Sequence, residues 1–216
     1  MLQYLSSSPY CGHETESISS RSEATASMTL DRVLLPYLEI AKNLNSDNHS
    51  YSQSVDADPE KSLTIINEMI EREKPKIIVG TSLGGWMTLM CDSGDAQLVV
   101  VNPSTYPQQT LSKWIGQELP YFCERLDGVQ TYTLTHEILN KYAGYDIVKN
   151  IQEKSGRLHA LCSSADELIG DIHIRTLQPL LPSNRLTVTN DFGHRCSGSG
   201  MSYLFNILNA LQKGSC

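Results

Sequence analysis

The run Lys76-Ile77-Ile78-Val79, followed at once by Gly80-Thr81-Ser82-Leu83-Gly84-Gly85, constrains the fold of this chain more than any other stretch. It reads as a strand, a sharp turn and the start of a helix, with Gly-x-Ser-x-Gly at the turn. Such a turn forces its central residue into strained backbone geometry, and glycines two positions either side leave room for strand and helix to pass closely. The Ser82 hydroxyl is thereby held out at the sheet edge. The helix starting near Leu83 aims its N–H groups and positive dipole end at the same spot. The five-residue pattern alone also occurs in glycine-rich structural turns. Its weight here comes from the β-branched run before it and the helix-compatible Trp86-Met87-Thr88-Leu89-Met90 after it.

Other short apolar segments, at 2–5, 98–101, 158–162 and 186–188, read as further strands, each followed by a loop or helix signal. A weaker, mostly polar candidate at 51–55 would be an edge strand. Between them lie helix patterns. Asp58-Pro59 supplies an N-cap and a proline at the first helical position, and Leu63, Ile66, Met69 and Ile70 then form one apolar stripe. A helix over 28–44 has Pro36 inside it and is expected to kink or split. Leu204, Ile207, Leu208 and Leu211 form the stripe of a terminal helix. Alternation of this kind predicts an α/β fold, a doubly wound and mostly parallel sheet with helices on both faces.

Two long excursions interrupt the alternation. Residues 6–25 are rich in Ser, Gly and Glu. Residues 104–155 hold Tyr106, Tyr121, Tyr132, Tyr142, Tyr145 and Trp114, and are expected to form a short helical insertion. Lying over the carboxyl ends of the strands, it either caps an apolar pocket or packs its aromatics onto the sheet.

With 216 residues, 40% hydrophobic and 19% charged, the chain has the composition of a one-domain soluble globular protein. Seventeen Lys and Arg against 24 Asp and Glu give a formal charge of -7. The basic residues are scattered, which argues against nucleic acid as a partner. No positively charged leader and no apolar run of membrane-spanning length is present, so a cytoplasmic protein without a membrane anchor is expected. Cys11, Cys91, Cys123, Cys162, Cys196 and Cys216 show no Cys-x-x-Cys spacing and no paired His, so neither a metal site nor a redox motif is indicated. Cys196, two residues from His194, invites a Cys-His pair, but a catalytic cysteine needs surroundings that lower its pKa.

A serine hydroxyl attacks only when a base removes its proton and a third group holds that base in the right tautomer. For a serine on such an elbow the chain order is serine, acid, histidine, each on a loop after a strand. His13 and His49 precede Ser82, His136 and His173 fall in helix-like stretches, and His159 lies within a strand. His194, in Asn190-Asp191-Phe192-Gly193-His194-Arg195, follows a late strand. Asp166, in the loop after the strand at 158–162, is the first choice of acid. Glu167 is its neighbour and competitor, and Asp191 a weaker third.

These residues carry a resemblance to the small bacterial α/β-hydrolase esterases of the YqiA type. It also includes Ser19-Ser20-Arg21-Ser22, Val100-Val101-Asn102-Pro103, Trp114-Ile115-Gly116, Asp166-Glu167 and Gly193-His194. The resemblance implies an esterase acting on small acyl esters without a cofactor, with Ser82 as nucleophile, Asp166 as acid and His194 as base. One departure stands out. The family usually follows its first strand with His or Gln, then Gly, then an aromatic residue, and this turn lends an N–H to the oxyanion hole. Here the stretch is Leu5-Ser6-Ser7-Ser8-Pro9. The Leu83 N–H supplies one donor, and Ser7 or Ser8 is the candidate for the second. The same triad would also serve a thioesterase or acyltransferase. The altered turn is what a catalytically silent relative that binds a small molecule or protein would show.

Overall fold

In the computed structural model, residues 2–5, 50–53, 56–120 and 130–213 are described. Six strands among them form one parallel sheet in the order β2-β1-β3-β4-β7-β8: β1 (Leu2–Leu5), β2 (Ser50–Gln53), β3 (Ile77–Thr81), β4 (Gln97–Val101), β7 (Leu158–Ser163) and β8 (Leu186–Thr189). The polar segment near residue 51 does form the edge strand β2. Strand order reverses at β1, which pairs with β2 on one side and β3 on the other, so the switch point lies beside the carboxyl end of β3.

Alternation along the central strands divides the core into two. Leu98, Val100, Leu158, Ala160 and Cys162 face one cluster, whereas Val99, Val101 and Leu161 face the other with Ile77 and Val79. The first cluster is closed by α1 (Pro59–Glu73), through Leu63, Ile66, Met69 and Ile70, and by α2 (Leu83–Met90). The second is closed by the terminal helix α7 (Ser199–Gln212), whose Leu204 and Leu208 are fully buried. Both faces are therefore covered, which is why the inner strands read as continuous apolar runs. Helix α1 starts as its sequence dictates: the Asp58 side chain accepts the Glu60 N–H at 3.0 Å and Pro59 takes the first position. The helix expected over 28–44 and the loop at 6–25 lie outside the described residues.

The insertion contains α3 (Pro107–Thr110), a 3-10 turn at Ser112–Trp114, a two-stranded antiparallel pair of β5 (Glu118–Pro120) and β6 (Thr131–Thr133), then α4 (His136–Ala143) and α5 (Ile147–Lys154). The strand pair was not expected, since Glu118–Pro120 and Thr131–Thr133 are three residues each, too short for alternation to stand out from the sequence. Tyr142 and Tyr145 meet Trp86 edge-on, at ring centroid distances of 4.7 and 5.1 Å. The Tyr142 hydroxyl donates to the Ala57 carbonyl at 2.9 Å. Tyr106, Trp114 and Tyr132 pack against the same core cluster. These aromatics thus fasten the insertion to the helix that follows Ser82. Tyr121 lies outside the described residues.

At the far end of α5, the buried Lys154 amine donates to the carbonyls of Leu89 and Cys91, the latter at 2.8 Å. It satisfies carbonyls that α2 leaves unbonded at its C-terminus. Tyr142, Tyr145 and Lys154 accordingly tie the C-terminal part of the insertion to α2 and the residues that follow it.

Candidate active site

Ser82 joins β3 to α2 with φ 51° and ψ -119°, a backbone conformation that side chains rarely adopt. Two neighbours hold it there. Its N–H donates to the Val101 carbonyl at 3.0 Å and its carbonyl accepts the Ser104 N–H at 2.9 Å, both from the segment leaving β4. Crossing of strand and helix explains the glycines. A Cβ on Gly80 would lie 2.2 Å from both the Gly84 carbonyl oxygen and the Thr88 Oγ1, and one on Gly85 would lie 2.7 Å from the Pro103 Cβ. The first intrahelical bond of α2 runs from the Trp86 N–H to the Ser82 carbonyl, leaving the amides of Leu83, Gly84 and Gly85 unused by the helix.

His194 comes from the loop between β8 and α7, and Asp166 from the loop after β7. The structure brings them to Ser82. His194 Nε2 lies 2.9 Å from Ser82 Oγ, and His194 Nδ1 lies 2.8 Å from Asp166 Oδ2, with both side chains buried. The second carboxylate oxygen, Oδ1, accepts the N–H groups of Leu168 and Ile169 at 2.9 and 3.0 Å. Burial pushes the Asp166 carboxyl up, but the hydrogen bond and charge of His194, with the amides of Ile169 and Leu168, outweigh it and hold the pKa below the ordinary carboxylate value. An ionised Asp166 accepts from Nδ1–H, which leaves Nε2 as the lone-pair nitrogen facing the serine hydroxyl.

The other candidates sit elsewhere. Glu167 does not meet the imidazole; its Oε2 accepts the backbone N–H of His194 at 2.8 Å. Asp191 accepts from the Thr189 and Tyr203 hydroxyls, at 2.8 and 2.9 Å. Cys196 is buried in the core cluster under α7, where a Cβ on Gly200 would come within 2.8 Å of its Sγ. Burial also pushes up the thiols of Cys91, to about 11, and of Cys162. His136 opens α4, His173 lies in α6 (Ile172–Leu177) and His159 in β7. Leu83 opens α2 beside Ser82. Ser7 and Ser8, the candidates for a second oxyanion donor, lie outside the described residues, as do His13 and His49.

Sequence reasoning gave no role to Asn102. It leaves β4 with φ 42°, fully buried, and its side chain reaches Ser163, Gly193 and His194. The one available signal was an amide side chain directly after an apolar strand and before a proline.

A six-stranded parallel sheet with a serine elbow at its switch point, and with Asp166 and His194 on the two loops after the last strands, defines the α/β-hydrolase fold. Solved structures agree with that class. A putative hydrolase from Agrobacterium vitis S4 has a TM-score of 0.57 at 17% identity, covering 97% of this chain and 87% of its own. The esterase domain of a Rhodothermus marinus protein gives 0.59 at 13% identity, covering 83% and 80%. Est1E from Butyrivibrio proteoclasticus gives 0.59 at 12%, covering 89% and 85%. The chain belongs to UPF0227, described as an uncharacterised protein family, whose model matches residues 38–209; this is the YqiA-type family that the motifs resemble. No curated protein matches the chain in sequence.

Proposed function

We propose that the protein hydrolyses small carboxylic esters through an acyl-enzyme on Ser82. The observation that carries this reading is the continuous hydrogen-bonded series Asp166, His194, Ser82, at 2.8 and 2.9 Å. In it, His194 Nε2 takes the Ser82 proton as Oγ attacks the acyl carbonyl, and the imidazolium is stabilised by the ionised Asp166. Negative charge developing on the carbonyl oxygen meets the Leu83 N–H and the positive end of α2. His194 then protonates the departing alcohol. A water molecule, deprotonated by the same nitrogen, attacks the acyl-enzyme, and Ser82 regains its proton as the carboxylic acid leaves.

The triad reading also draws support from the esterases and lipase among the structures of similar fold, including a monoacylglycerol lipase from Paleococcus ferrophilus. Their low identity carries the fold rather than the substrate. The test is turnover of 4-nitrophenyl acetate by the purified chain. Wild type is expected to release nitrophenolate, and Ser82→Ala to lose at least about a thousandfold in kcat. Equal turnover in the variant removes the proposal. Acyl-CoA offered in parallel separates an oxygen-ester hydrolase from a thioesterase with the same nucleophile.

A further inference from the structure

We propose that Asn102 and Glu167 are positioning residues that hold the main chain of His194 from both sides and so set the reach of its imidazole to Ser82. The inference rests on His194 being the base of the reaction proposed above. Glu167 Oε2 accepts the His194 N–H at 2.8 Å. On the opposite side of the same residue, Asn102 Nδ2 donates to the His194 carbonyl at 3.0 Å and to the Gly193 carbonyl at 3.1 Å. Gly193 permits the first of these contacts, because a Cβ there would lie 2.5 Å from Glu167 Oε2.

Asn102 also refers this mount to the other two members of the site. Its Oδ1 accepts the Ser163 N–H at 2.7 Å, at the end of the strand that leads to Asp166. Its own main chain lies between Val101 and Ser104, the residues whose carbonyl and N–H bond to Ser82. One side chain thus links its own segment to residues 61, 91 and 92 positions further along the chain. The donor and acceptor pattern fixes which end of the amide is which: two carbonyls require the NH2, and one N–H requires the oxygen. Aspartate has no donor for the carbonyls, and glycine keeps the positive φ but loses all three bonds.

The reason such a mount matters is geometric. Proton transfer needs Nε2 within hydrogen-bond reach of Oγ, and a displacement of about 1 Å costs on the order of a hundredfold in rate. A residue acting only through this displacement lowers kcat and leaves substrate affinity alone.

The experiment compares Glu167→Ala, Glu167→Gln, Asn102→Gly and Asn102→Asp in the full chain with 4-nitrophenyl acetate and a fluorophosphonate. Expected are a kcat loss of about tenfold for Glu167→Ala and about a hundredfold for both Asn102 variants, with KM within about twofold and fluorophosphonate labelling slowed by matching factors. Glu167→Gln, which keeps an oxygen acceptor, is expected to restore most of the rate. The proposal is overturned by wild-type kcat in Glu167→Ala, by a loss borne in KM, or by a Gln variant no better than Ala. Glu167 is exposed, so this pair decides the matter even where the buried Asn102 variants fail to fold. If wild type itself shows no chemistry, the ester-hydrolase reading falls. The mount is then read from amide hydrogen exchange at His194: about tenfold faster exchange in Glu167→Ala supports it, and unchanged exchange overturns it.

Discussion

Ser82 is held in an unfavourable conformation because its N–H donates to the Val101 carbonyl at the end of β4 while its carbonyl accepts the Ser104 N–H, and that conformation is what turns its hydroxyl out between sheet and helix. Strain of this kind persists only where the surroundings over-determine it. Asp166 is the residue at which chemistry and protonation meet. Its depressed pKa keeps it ionised, so Asp166→Asn is expected to leave the fold intact while favouring the wrong tautomer of His194, lowering kcat by about 10⁴ with little change in KM. Steady-state kinetics of that variant check it, and a loss below tenfold contradicts the assigned role. At this scale Ser82, Asp166 and His194 were legible because each stands in a loop directly after a readable strand. Asn102 was not, because its partners at 163, 193 and 194 are neighbours only after folding.

At the scale of elements, the crossing of β3 and α2 is a close-packed joint with no room for a methyl group. Gly80→Ala places a Cβ against the backbone of Gly84 and the side chain of Thr88, so one of the two elements must shift. Overpacking of this order costs about 3 kcal/mol, or a fall in Tm on the order of 8 °C, readable by thermal melting. The Lys154 amine makes a different joint, tying α5 to the C-terminus of α2. Lys154→Met leaves two buried carbonyls without that donor and is expected to cost about 2 to 4 kcal/mol, measured by chemical denaturation; a neutral result contradicts its structural role. The central strands and α1 could be read in advance from β-branched runs and from Asp58-Pro59. The pair β5 and β6 could not, since Glu118–Pro120 and Thr131–Thr133 owe their pairing to tertiary context rather than to pattern.

For the whole molecule, two buried histidines couple folding to pH. His159 and His173 are both pushed down from 6.5 to about 4, chiefly by burial, with the positive charge of Arg185 adding to the effect at His159 and the negative charges of Asp166 and Asp171 opposing it at His173. Arg185 donates to His159 Nε2 at 2.6 Å, a bond that requires the neutral ring. The unfolded chain binds protons at these sites below about pH 6.5 whereas the folded chain does not until about pH 4. Stability is therefore full above 6.5 and falls as pH drops toward 4, each histidine contributing up to about 1.4 kcal/mol per pH unit. Denaturation midpoints at pH 7 and pH 5 check this, and His159→Gln should flatten part of the slope.

The architecture brings the loops that hold residues 82, 166 and 194 to the carboxyl edge of one parallel sheet, where they would produce an activated serine. Intact-mass and peptide mapping after fluorophosphonate treatment tests that most directly. A single adduct on Ser82 is predicted for wild type, absent in Ser82→Ala and formed at least about a hundredfold more slowly in His194→Ala. An unmodified wild-type chain, or an adduct at another residue, contradicts it.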